Sequence, residues 1–296
     1  MVCYSGENHK GRMMIEQYKN VVTVRDDSVN TAWQSWVCLM SDVHFDAEKC
    51  DLPLVNKHLT LANERGALVL IAGDWFDAMQ SKHDPRRSPE DLKSEYAVSS
   101  YLDALVKYAA DYLGRFNRCK FILALGNHET AVLKNNNTNL MDRLADKLRD
   151  KYKIDAVNAG YAGWVRWLFS RGKGARQSFS LYYHHSGGGG NAPVSKGIMQ
   201  SNRQAAAIRA DFVHNGHNHQ NYHHAEPQVY LSPSGRQVKS LTHFIRTPGY
   251  KIGGLEAYDE FGFDIERHPH PLTRGCAFIH FTADDVIRAS VETKLE

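Results

Sequence analysis

Three observations predict a layered α/β protein for this 296-residue chain. Short apolar runs alternate with helix-like stretches; nearly every run ends in residues able to ligate a metal; and glycines stand at several of those ends. Strands that alternate with helices imply βαβ connections and a largely parallel sheet. In such a sheet, ligands gather at the carboxyl ends of the strands.

The first thirty or so residues are polar and mixed, without a sustained period. They read as an N-terminal extension, residues 1–32, that lies over the core or stays mobile. The expected strands are "WVCLM" (36–40), "ALVLIAG" (67–73), "KFILALG" (120–126), "SFSLYYHH" (178–185) and "DFVHNG" (211–216). Each is short and rich in branched or aromatic residues, as a buried strand is. Helices are expected at roughly 51–65, 91–117 and 137–152, and "YAVSSYLDALVKYAADYLGRF" (96–116) carries apolar residues at helical spacing. Residues 225–283, with "SPSGRQV", "TPGY" and "KIGG", are rich in turn residues and read as β-rich additions to one domain spanning 33–283. Residues 284–296 read as a tail.

Composition narrows the class. With 42% hydrophobic and 23% charged residues and a net charge of +3, the chain is typical of a water-soluble globular protein. That charge admits a polyanionic substrate but does not suit a nucleic-acid coat protein. Cys3, Cys38, Cys50, Cys119 and Cys276 are odd in number and never in CxxC spacing, so reduced thiols and a cytoplasmic setting are expected. Neither an export signal nor a membrane segment is expected.

The polar residues at the strand ends carry the chemistry. In chain order the runs deliver "SDVHFD" (Asp42, His44, Asp46), "GDWFD" (Asp74, Asp77), "GNHE" (Asn127, His128, Glu129), His184–His185 and "GHNH" (His217, His219). Residues two apart in extended chain share a side, so Asp42 with His44, and His217 with His219, can face one centre. "FVHNGHNHQNYHH" (212–224) holds five histidines. His214 reads as structural, and His223 and His224 read as surface or rim residues.

The ordered series D-x-H, GDxxD, GNHE, H and GHxH, over about residues 38–220, resembles the calcineurin-like metallophosphoesterase superfamily. The resemblance implies a four-layer α/β/β/α sandwich of two mixed sheets flanked by helices, with a dinuclear metal centre. One metal would take Asp42, His44, His219 and a bridging Asp74. The other would share Asp74 and add Asn127, His184 and His217. His128 would be the general acid, and His185 is the alternative to His184. The nitrogen and oxygen donors without sulfur suit two divalent ions, Mn²⁺ first and Fe or Zn²⁺ next. Two cations about 3.5–4 Å apart generate a bridging hydroxide near neutral pH and clamp the phosphoryl oxygens. Asp77 is a candidate to orient a ligand histidine; Glu129 is open between holding His128 and capping a helix.

The motifs narrow the substrate less sharply. Ser/Thr protein phosphatases of this superfamily carry Arg-Gly after the second Asp of GDxxD; here Ala78 and Met79 follow. "GDWFD" is closer to the DNA-repair exonucleases, and "DPRR", "YYHHSGGGG" and "RTPGYK" resemble phage- and prophage-type members. A phosphodiesterase is therefore expected, a nuclease acting on DNA or RNA among its forms, with a phosphomonoesterase or small-nucleotide hydrolase as the alternative. His185, Arg86 and Arg87 are the candidate substrate-binding residues. Oligomeric state is left open, a dimer included.

Overall fold

The computed structural model describes residues 2–4, 13–79, 93–171, 176–185, 198–232, 234–253 and 272–296. Two mixed sheets pack face to face. The smaller has four parallel strands, β4 (Gln34–Met40), β5 (Leu68–Ala72), β6 (Lys120–Ala124) and β7 (Ala156–Asn158). β13 (Gly275–Ala283) pairs antiparallel with β4, and β14 (Ile287–Leu295) with β13, to make six strands.

The larger sheet runs β1-β2-β3-β8-β9-β10-β12-β11. Its members are β1 (Val2–Tyr4), β2 (Met14–Tyr18), β3 (Val21–Asp26), β8 (Ala162–Ser170), β9 (Arg176–His184), β10 (Phe212–Asn215), β11 (Tyr222–Leu231) and β12 (Gln237–Arg246). β10 lies parallel to both β9 and β12.

Side-chain parity builds the layers. On β4, Cys38 and Met40 face one core while Val37 and Leu39 face the other, and β5 and β6 alternate in the same way. The first core takes α1 (Leu52–Glu64), α2 (Tyr101–Leu113), α3 (Asn127–Asn136) and α4 (Leu140–Tyr152). The second is the inter-sheet core, where Val22, Val24, Trp167, Leu181, Tyr183, Phe212 and Ile245 meet Leu70, Ile122, Ile279 and Phe281. α5 (Ile198–Ala207) covers the outer face of the larger sheet, where Ala205 packs with Val213 and Phe244. This is the expected α/β/β/α sandwich.

Caps set the helix starts. Asp51 accepts the Leu54 N–H with Pro53 in the first turn of α1, and Asn139 accepts the Met141 and Asp142 N–H groups ahead of α4.

Two parts of the chain differ from expectation. Within the N-terminal extension, β2 and β3 are strands of the larger sheet, β3 pairing parallel with β8, because Ile15, Val22 and Val24 reach the inter-sheet core. The C-terminal β residues form no separate lobe: β11 and β12 extend one sheet, and β13 and β14 the other. Residues 284–296, expected as a tail, contain β14. Cys38, Cys50, Cys119 and Cys276 are buried and unpaired. Among the described residues no helix is long and apolar enough to cross a membrane.

Candidate metal centre

The loops that leave β4 and β5 run together along the sheet edge. Asp42 N–H donates to the Gly73 carbonyl, Val43 and His44 N–H to that of Asp74, and Phe45 N–H to that of Trp75. Asp42, His44, Asp74, His217 and His219 all take left-handed backbone with φ between 49° and 77°. Such conformations cost about 1–3 kcal/mol each outside glycine and collect at functional sites. Two glycines are required by close approach. A Cβ on Gly73 (φ +91°) would collide with the His185 ring, and one on Gly126 would overlap Asp74.

Three groups of donors converge: Asp42, His44 and His219; His44, Asp74 and His128; Asp74, His185 and His217. Within each, the candidate ligand atoms lie within 4.8 Å of one another. His44 and Asp74 each belong to two groups, so the three form one continuous centre. His185 Nε2 is 3.0 Å from Asp74 Oδ2, 3.1 Å from Asn127 Oδ1 and 3.9 Å from Asp42 Oδ1. His219 Nε2 is 3.6 Å from Asp42 Oδ1, and His128 Nε2 is 3.8 Å from Asp74 Oδ2. The His217 N–H donates to Asp42 and the His128 N–H to Asp74.

This donor set fits divalent cations. Nε2 of His44 is buried and has no hydrogen-bond partner. Asp42 and Asp74 are fully buried, yet among the described residues no Lys or Arg pairs with them. Burial pushes the Asp74 carboxyl up, but His185, His128 and His44 outweigh it and hold it well below the usual range. His185 shows the converse. Burial pulls its ring down, while Asp74 and then Asp42 more than offset that and push it up to about 10. A cation at Nε2 would compete with that proton.

A ring of buried carboxylates holds the centre from behind. Asp77 Oδ1 lies 2.8 Å from His44 Nδ1, and the Asp77 carbonyl meets His128 Nδ1. Asp46 accepts the Asp77 and Ala78 N–H groups and the Tyr101 hydroxyl. Glu129 takes the Gly126, Asp74 and Phe76 N–H groups at 2.7, 3.1 and 2.9 Å, so it caps α3 and locks the Asp74 loop rather than holding His128. Burial, with Asp74 beside it, pushes Glu129 up to about 7.

The adjacent histidines are the correction. The structure places His185 in the cluster, where His184 had been preferred as a metal ligand and His185 assigned to substrate. Parity decides between them: Leu181 and Tyr183 face the inter-sheet core, and His185 continues that face to the site. His184 follows Tyr182 on the outer face, its ring 5.5 Å from that of Tyr161.

His214 is fully buried, bonded through Nε2 to Thr247 Oγ1, and burial pushes it down to about 3, which fits its structural reading. His223 is exposed against His243, and His224 stacks on Phe244. Arg86 and Arg87 lie outside the described residues. Sequence reasoning missed Thr247, which joins Ser41 to His214 beneath Asp42. "RTPGYK" had been noted, but only as a basic surface.

Comparison with known proteins places this geometry. A search of curated protein sequences finds no match. Among solved structures, a conserved uncharacterized protein from Streptococcus pneumoniae, described as a predicted phosphoesterase, aligns over 88% of this chain and 90% of its own at 12% identity and TM-score 0.28. Vps29 of Chaetomium thermophilum aligns over 88% and 97% at 7% identity and TM-score 0.33. GAP50, the anchor in the inner membrane complex of Plasmodium, aligns over 88% and 84% at 11% identity and TM-score 0.42. The model of the calcineurin-like phosphoesterase family matches residues 35–244, from β4 through most of β12. With that match spanning well over half its length, the chain belongs to the calcineurin-like phosphoesterase family.

Proposed function

We propose that this chain is a metal-dependent phosphodiesterase. Asp42, His44, Asp74, Asn127, His185, His217 and His219 would hold two divalent ions, with Asp74 shared, and His128 would act as general acid. The observation that carries the reading is the convergence of three donor groups through His44 and Asp74. When bound, two such ions supply a nucleophile from water near neutral pH and neutralise charge on the phosphoryl oxygens.

The chain's own groups do the rest. Asp77 fixes the His44 ring by its Nδ1, so that Nε2 is the free donor. The Asp77 carbonyl accepts the His128 Nδ1 proton, which leaves Nε2 to deliver a proton to the departing oxygen. Buried Glu129 and Asp46 hold the Asp74 and Asp77 backbone, so the ligands are placed before any substrate arrives.

A diester is favoured over a phosphomonoester by what stands beside Asp77. Ala78, at the place where the phosphatases carry the phosphate-gripping Arg, is fully buried, so no guanidinium reaches the centre from that position. DNA and RNA strands are the substrate class to try after a simple diester, and Mn²⁺ is the first ion to add.

The test compares Mn²⁺-supported hydrolysis of bis-p-nitrophenyl phosphate and p-nitrophenyl phosphate, with His128→Ala as control. Faster turnover of the diester, lost in the variant, is expected. Faster turnover of the monoester would move the assignment to a phosphatase.

A further inference from the structure

Behind the metal centre, the larger sheet presents a row of residues at one level. Ala162, His184, Asn215, Arg246 and Tyr222 are successive register partners across β8, β9, β10, β12 and β11. The row belongs to the outer face, where Asn215 exchanges two amide hydrogen bonds with Gln204 of α5. The metal-facing residues begin one position further along these strands, at His185 and Gly216.

Arg246 is only 2% exposed, and among the described residues nothing accepts a hydrogen bond from its Nε, Nη1 or Nη2. Its guanidinium carbon lies 5.0 Å from the Tyr222 ring centroid. A cation–π contact contributes about 0.5–2 kcal/mol, whereas burying an ion costs several kcal/mol, so this contact does not offset the burial. One residue pair along the hairpin, His224 stacks on Phe244, and neither of its ring nitrogens has a hydrogen-bond partner. The nearest acid, Glu226, stays 3.8 Å from His224 Nε2. The same face of β11 continues into a cavity of about 490 Å³, where Gln228, Tyr230 and Arg209 stand.

A planar guanidinium with every donor unused matches an oxyanion with several acceptors, and the family's substrates supply phosphate. We propose that Arg246, with His224, is an anion-binding subsite for a phosphate group neighbouring the one that is hydrolysed. The inference rests on the phosphodiesterase reading. The subsite takes a second phosphate, not the scissile one, because its row faces outward while Asp74 and His185 face the inter-sheet side. The enzyme therefore prefers esters with two or more phosphates, such as a phosphorylated dinucleotide, over diesters with one.

Two measurements test this. In EDTA, inorganic phosphate raises the melting temperature of the wild type, by roughly 3 °C at saturating concentration, and does not raise that of Arg246→Met. In phosphate-free buffer Arg246→Met melts no lower than wild type, because replacing an unpaired buried charge by an apolar chain of similar length removes a cost. With Mn²⁺, the ratio of kcat/KM for 5′-phosphorylated thymidine dinucleotide over bis-p-nitrophenyl phosphate falls at least tenfold in the variant. A lower melting point for Arg246→Met without phosphate would show that this chain pairs the guanidinium itself, and would overturn the proposal. So would equal phosphate stabilisation of both proteins, or an unchanged ratio. Should the wild type hydrolyse neither ester, the phosphodiesterase reading fails, and the phosphate-stabilisation arm still decides the subsite.

Discussion

His44 Nδ1 sits 2.8 Å from Asp77 Oδ1, and the opposite nitrogen of the same buried ring has no partner. The carboxylate thereby fixes the tautomer and aim of a candidate ligand. In Asp77→Asn the amide can turn its NH₂ to Nδ1 and favour the wrong tautomer. Mn²⁺ affinity is expected to fall 10–100-fold, read by isothermal titration, with the far-ultraviolet circular dichroism unchanged. An unchanged affinity would mean that Asp77 only shapes the turn.

The adjacent histidines separate cleanly. His185→Ala is expected to lose about one of two bound ions, while His184→Ala keeps both, as measured by metal content after dialysis against Mn²⁺ or Zn²⁺. The reverse result would restore His184 as the ligand.

His128→Ala is expected to lower kcat by roughly 10²–10⁴ on esters with poorly acidic leaving groups, and by less on p-nitrophenyl esters, whose leaving oxygen needs little help from an acid. Metal content should be unaffected. Equal losses on both substrates would argue against a proton-donor role.

Acidity competes with the metal. Without a cation, the His185 ring lies near 10, above its ordinary 6.5, so at neutral pH it is protonated and Nε2 is occupied. Each unit fall in pH below about 10 should cost up to tenfold in apparent metal affinity from this group alone. The raised value also means that the protonated ring stabilises the metal-free fold fully below about 6.5, and that this contribution is lost as pH rises through 10. Chelator competition at pH 6.5, 7.5 and 8.5 reads the first effect; a flat profile would refute it.

Glu129 anchors three backbone N–H groups in a fully buried position. Glu129→Ala leaves all three unsatisfied and is expected to cost roughly 3 kcal/mol or more in urea unfolding. A loss under 1 kcal/mol would mean that other acceptors take over.

How much of this was legible in the sequence depends on where each signal came from. The five runs at 36–40, 67–73, 120–126, 178–185 and 211–216 match strands because each carries its own apolar pattern. β3 escaped notice because "VVTVRD" is six residues long and takes its partner, β8, from far along the chain. The same tertiary dependence hid the choice at 184–185, which only the inter-sheet position of Leu181 and Tyr183 decides. Asp42, His44, Asp74, Asn127, His217 and His219 were legible as a set because each sits just past a strand. The donor role of Asp77 and the backbone role of Glu129 required coordinates, since a carboxylate after a glycine-rich turn can serve either purpose.

Asp42, Asp74 and Asn127 follow strands of the smaller sheet, whereas His185, His217 and His219 follow strands of the larger. Ions held by both sets would stitch the two layers together along one seam. Their binding would then register how snugly the sheets close, and loosening the joint elsewhere, for instance by trimming Trp167 against Phe281 (5.5 Å), would weaken the grip on metal without touching a ligand. On that view the centre is a fastening of the fold as much as a tool, and stability and chemistry rise or fall together.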